Sequence, residues 1–166
     1  METTTREDVE TGLAQIRVIL GALNGGVLIF TFVALYLVTS GTVTPGGDPA
    51  NRNLLIAVLA ILAVSEVVSY HVLRAASYKK LREEWGGREA DAEAAEQLVK
   101  QLTTQRLIGG AMAVTVGCFA IVLYLLTGMA VLLVVPAVVI FLMLGLRPTF
   151  DDFREFAAEV TGRPWS

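Results

Sequence analysis

The chain has 166 residues, 54% of them hydrophobic and only 17% charged, with a formal net charge of −3. A soluble domain of this size does not sustain apolar runs of the length found here, and the acidic balance argues against a nucleic-acid partner, which needs excess Lys and Arg. One cysteine, Cys118, and one histidine, His71, leave no disulfide framework, no thiolate metal site and no bis-histidine haem ligation.

Residues 1–16 carry Glu2, Glu7, Asp8 and Glu10 without an apolar core. They are therefore not a cleavable signal peptide and read as a cytoplasmic helical extension, with Thr5 and Asp8 placed to cap it. Val18–Gly47 carries no charged residue. About 20 helical residues cross a hydrocarbon core of roughly 30 Å, so this stretch supports a first span over Arg17–Thr39, serving as an uncleaved signal anchor. Ser40–Gly41 and Pro45–Gly46–Gly47 end it. A second span, Asn53–Arg74, holds one carboxylate, Glu66, and completes a transmembrane hairpin over 17–74.

The connector 75–105 places Tyr78, Leu81 and Trp85 at helical spacing before a break at Gly86–Gly87. Ala95, Leu98 and Leu102 resume the period on the way into the third span. The second and third spans therefore project beyond the bilayer as a helical hairpin. Glu89, Asp91, Glu93 and Glu96 crowd the start of its second arm, where a helix N-terminus favours acids. This arm is either a solvated linker or a docking surface.

Leu107–Leu146 is charge-free for 40 residues, roughly 60 Å as helix and twice what a bilayer holds. It must fold back at Thr127–Gly128, giving spans Arg106–Leu126 and Met129–Leu146 in a second hairpin, 106–146, with Pro136 a tolerated kink. In the tail, 147–166, Thr149 and Asp152 fit a capping box. Phe150, Phe153, Phe156, Ala157 and Val160 fall on one helical face, suited to packing on the protein's own loop or on a partner.

Of 13 Lys and Arg residues, only Arg52 lies on the opposite side from the termini and the connector. The positive-inside rule then puts both termini and the connector in the cytoplasm. The expectation is an all-α, four-span protein of two helical hairpins in the bacterial cytoplasmic (inner) membrane.

Glu66 stands out, because ionisable groups inside a bilayer are costly and are functional candidates by default. Counted from Arg74, Arg17 and Arg106, the residues Glu66, Asn24 and Thr115 reach depths of roughly 12, 10 and 13 Å at 1.5 Å per residue, so they could meet in one polar layer. Ser69 and Tyr70 add hydroxyls beside Glu66. The layer either holds helices in register or binds a proton or small cation at Glu66. Gly21 and Gly25 form a GxxxG pair, and Gly109, Ala113 and Gly117 form a small-residue ladder, both suited to close helix packing within the chain or between copies. Leu35–Tyr36–Leu37–Val38–Thr39 is echoed by Leu123–Tyr124–Leu125–Leu126–Thr127, and Gly21 by Gly109, at one offset, as a duplicated hairpin would give. No HExxH, Walker loop, cysteine pair or nucleophile elbow is present, so no enzyme, cofactor or metal is expected.

The run Arg106-Leu-Ile-Gly-Gly-Ala-Met112, continuing through Ile121-Val-Leu-Tyr-Leu-Leu-Thr-Gly128 to Leu146-Arg-Pro-Thr149, resembles small bacterial four-span membrane proteins, some with a distant likeness to the rotary ATPase proteolipid, subunit c. That likeness covers mainly the second hairpin. It implies helical hairpins packed in a ring, with an ion-binding carboxylate on a hairpin's second helix, the place Glu66 takes in the first hairpin. The chain lacks the proteolipid's dense glycine ladder, and its hairpins turn on the opposite side. The expected role is a structural or accessory membrane protein, acting through helix packing as a homo-oligomer or with membrane-complex subunits. The alternative is a proton- or cation-handling protein centred on Glu66.

Overall fold

The computed structural model describes residues 2–46, 49–87 and 92–162. They form five α-helices and one short 3₁₀ turn: α1 (Glu2–Thr39), α2 (Pro49–Trp85), α3 (Ala92–Thr127), the 3₁₀ turn (Ala130–Leu133), α4 (Val134–Gly145) and α5 (Phe150–Thr161). Three of these helices are long and apolar enough to cross a membrane, and a fourth crossing follows only if Ala130–Gly145 and Phe150–Thr161, which meet at 75°, count as one bent span.

Each long helix outruns its expected span. At 38, 37 and 36 residues, α1, α2 and α3 are each roughly 55 Å long, well beyond a 30 Å hydrocarbon core. α1 is already helical at Glu2, so Thr5 and Asp8 lie inside the helix rather than capping it. Glu89 and Asp91 lie outside the described residues, as does the side chain of Glu93. The last helix is shorter: four 3₁₀ residues and twelve α-helical ones span roughly 26 Å. Pro136 is buried in the first turn of α4, where its missing N–H leaves no helix bond broken. The 3₁₀ turn just before it takes up the change in winding.

α3 is the hub. It packs on α1, α2, α4 and α5, and its pairing with α1 is the most extensive of all. The chain neighbours α1 and α2 make no substantial contact with each other, so the first two long helices are joined through α3. Missing side chains allow the close approaches. A Cβ on Gly12 would sit 2.7 Å from Val99 Cγ1, one on Gly110 2.7 Å from Leu20 Cδ2, and one on Gly117 3.4 Å from Val139 Cγ1. At the loop end, Gly128 takes a φ of +69° and its position packs against Pro45. The 40–46 loop and the Thr127–Gly128 turn therefore share one end of the molecule.

The opposite end carries a hydrophobic core to which all five helices contribute, α4 through Val139 and Met143. On α1, Val9, Leu13, Ile16 and Leu20 are buried at steps of three and four residues, the period of a helix face. They join Leu81 and Trp85 of α2, Leu98 and Leu102 of α3, and Phe153, Phe156, Ala157 and Val160 of α5. The tail helix is thus part of the fold. Its expected capping box is present: the Thr149 backbone N–H donates to Asp152 Oδ2 at 2.7 Å, and the Asp152 N–H donates to Thr149 Oγ1 at 3.1 Å. Burial opposes the charge on Asp152, but the Thr149 backbone and hydroxyl donors and the nearby Arg106 outweigh it and lower its pKa.

Polar contacts fix α5 at both ends. Arg17 Nε donates to the Pro148 carbonyl at 2.8 Å, Arg82 Nε to the Glu159 carbonyl at 3.1 Å, and the Gly87 N–H to the Thr161 carbonyl at 3.1 Å. Gly87 holds a φ of +80° to make that turn. Tyr78 meets Phe156 edge-on at 5.4 Å. Phe153 is fully buried, and truncating a buried Phe to Ala costs about 3–5 kcal/mol. Phe153→Ala should therefore release α5, read as a sharp rise in protease cleavage within 148–162 while the long helices stay intact.

Candidate functional site

Between α2, α3 and α4 lies an apolar cleft of about 710 Å³. α2 and α4 each pack on α3 but make no substantial contact with each other, which leaves the cleft open at the side. Its walls are Ala63 and Val67 of α2, Gly109, Met112, Ala113 and Val116 of α3, and Val134, Val138 and Leu142 of α4. The ionisable groups lining it are Glu66, Tyr70 and His71, all on α2.

Glu66 is half-buried there and makes no hydrogen bond or ion pair with any described residue. Tyr70, one turn on, lies against α3 where that helix has no side chain: a Cβ on Gly109 would stand 2.9 Å from Tyr70 Cε2. His71 stacks edge-on to Tyr70 at 5.8 Å.

A second cavity, of about 620 Å³, adjoins the first and shares His71 with it. It is lined by Arg74, Tyr78, Lys79, Arg82 and Glu83 of α2 and by Glu159 of α5. Arg74 lies over the Tyr78 ring at 5.3 Å and donates to its hydroxyl at 3.4 Å. Arg82 is held by α5, with its Nη2 3.9 Å from Glu159 Oε1 in addition to the carbonyl bond. Glu66, Tyr70, Arg74 and Tyr78 recur every four residues, so one face of α2 runs from the apolar cleft to the basic pocket.

The residues expected to form one polar layer are distributed over three surroundings. Glu66 and Tyr70 share the cleft. Asn24 does not line it: it is buried on α1 between Leu20 and Val27, and its Oδ1 has no hydrogen-bond partner. Thr115 is exposed and bonds back to the Ala111 carbonyl at 3.0 Å. Ser69 is exposed on α2. Of the expected packing residues, Gly109 meets α2, Gly117 meets α4 and Ala113 lines the cleft. A Cβ on Gly21 would approach only the Arg147 guanidinium, at 3.9 Å, and one on Gly25 would meet open space.

Sequence reasoning missed Gly12 and Gly110, the tightest approaches of α1 and α3. It also missed buried Gln105, whose Nε2 is unpaired, and the α4 wall of the cleft. Gly110 could have been found beside Gly109 as the second of an adjacent pair serving two helix faces; the α4 wall carried no signal, because its rotation is set by packing. Among the described residues, no three His, Cys, Asp or Glu side chains gather to hold a metal ion.

No protein-family model matches this chain, and no curated protein and no solved structure matches it. The length and composition of its three long helices are consistent with a multi-pass membrane protein.

Gly109 and Tyr70 should be energetically coupled. Gly109→Ala should lower the unfolding temperature in detergent, and the same change on a Tyr70→Ala background should cost much less. A double-mutant cycle measures the difference.

Proposed function

We propose that this protein is a structural or accessory component of the bacterial inner membrane, with both termini cytoplasmic, that works by packing helices against further copies or partner subunits. The observation that carries this reading is the state of α2. Between Leu54 and Leu73 only Leu59 is buried, and Val58, Ile61, Val64, Val68 and Val72 are exposed. An apolar helix facing lipid needs no partner, but this one also exposes Ser65 and Ser69, one turn apart. In a bilayer, hydroxyls on a helix surface favour association with another helix. A photo-crosslinker at position 69 in native membranes should therefore yield a discrete adduct with a second copy or one defined subunit, absent when the crosslinker sits at exposed Val131 in the 3₁₀ turn. Lipid adducts alone would sink the reading.

A second reading is favoured by the unpartnered carboxylate: Glu66 in the cleft could bind a proton or small cation, as the likeness to proteolipid hairpins implies. On the first reading, liposomes carrying the purified protein show no proton or cation flux above empty vesicles, and Glu66→Gln changes nothing in that assay. Flux in the wild type that disappears in Glu66→Gln, with assembly preserved on native mass spectrometry, would establish the second reading instead.

A further inference from the structure

We propose that the cleft and the adjoining basic pocket together form one site for an anionic phospholipid, its phosphate held by Arg74 and Lys79 and one acyl chain lying against Ala113, Val138 and Leu142. The two cavities meet at His71 and lie along one face of α2. Their order matches the ligand, with the apolar volume nearer the middle of the helix and the cations at the end where α2 leaves the apolar belt.

The dimensions select a chain over a helix. The cleft wall on α2 rises roughly 12 Å from Ala63 to His71, with Arg74 of the adjoining cavity one turn beyond, together about half the hydrocarbon core and so the depth of one leaflet. A helix of the cleft's own length and 10 Å diameter would need roughly 940 Å³, more than the volume of about 710 Å³ present. A single acyl chain is far slimmer and can enter sideways, because α2 and α4 leave the cleft open.

The charges select an anionic head. Of the charges lining this cavity, Arg82 is paired with Glu159 and Glu83 adds a second carboxylate, while Arg74, which Glu159 reaches only at longer range, and Lys79 are in no ion pair. Stacking on Tyr78 orients the Arg74 guanidinium, and a fixed guanidinium presents paired donors to a phosphate. Basic pockets beside membrane helices on the cytoplasmic side recognise anionic head groups in this way. Tyr70 and His71 sit one turn deeper, where the glycerol esters would lie. Lys80, exposed on α2 and lining neither cavity, serves as a charge control.

The inference rests on the membrane placement proposed above, which resistance to alkaline extraction tests separately. The protein, purified in mild detergent, is titrated with phosphatidylglycerol, phosphatidylcholine or inorganic phosphate and followed by native mass spectrometry. The wild type should retain one phosphatidylglycerol at least tenfold better than phosphatidylcholine. Arg74→Gln with Lys79→Gln should erase that preference, Val138→Trp should lower retention of both lipids, and Lys80→Gln should change neither. Equal retention of the two lipids by the wild type overturns the proposal, and so does a preference that survives in the double variant. Displacement of phosphatidylglycerol by inorganic phosphate at comparable concentration overturns the role of the acyl chain. Should Val138→Trp fail to fold, the two exposed charge substitutions still decide.

Discussion

Helices gain stability by burying apolar surface only where water is the alternative. Where lipid is the alternative, association must come from close packing and polar contacts. The arrangement of this chain follows that division. Its largest hydrophobic core lies at the end where α1, α2 and α3 run past the apolar belt and α5 folds back onto them. There Phe153, Leu13, Leu98 and Ile16 are essentially inaccessible. Along the belt, by contrast, a broad apolar surface stays open, from Val18 to Tyr36 on α1 and from Leu54 to Leu73 on α2. Within the belt the helices pack on a second, smaller core that includes Val27, Ala34, Leu59, Ile121 and Tyr124.

The central position of α3 has a direct consequence for the candidate site. Because α2 and α4 are each held by α3 and not by one another, a gap between them is built into the topology. Gly109 lets α2 come close at the level of Tyr70, while Gly117 lets α4 come close further along. The cleft lies between these two approaches, along Met112, Ala113 and Val116. A bulkier α3 would widen it, and direct packing of α2 on α4 would close it. The face of α2 that borders the gap then carries Glu66, Tyr70 and Arg74 in steps of four residues, so a single helix sets the polarity of the whole groove.

Local features were legible in the sequence to the extent that they depend on nearest neighbours. The breaks at Ser40–Gly41 and Thr127–Gly128, the capping box at Thr149 and Asp152, and the buried face of the tail helix all follow from backbone preference and helical period. The polar layer depended on more. Depth along a helix can be counted from a charged end, but rotation about the helix axis cannot. Asn24 and Thr115 stand at heights that match Glu66, but height along a helix leaves open which way each faces. The same gap explains the glycines: Gly21 and Gly25 have the spacing of a packing motif, yet the tight approaches on α1 and α3 fall at Gly12 and Gly110. Likewise Leu35–Tyr36 and Leu123–Tyr124 echo each other in sequence while Tyr36 is exposed and Tyr124 buried.

The sequence by itself determined that this chain is helical, where its long apolar helices lie and where they stop, because charge, glycine and proline act locally and leave a one-dimensional record. Only the tertiary structure decided that α3, and not the loop between α1 and α2, organises the bundle, that α5 belongs to the core, and that Glu66 and Tyr70 share a cleft that Asn24 does not line. Those outcomes are set by helix rotation and close approach. Both depend on the shapes of side chains distant in sequence, which no periodicity within a single helix records.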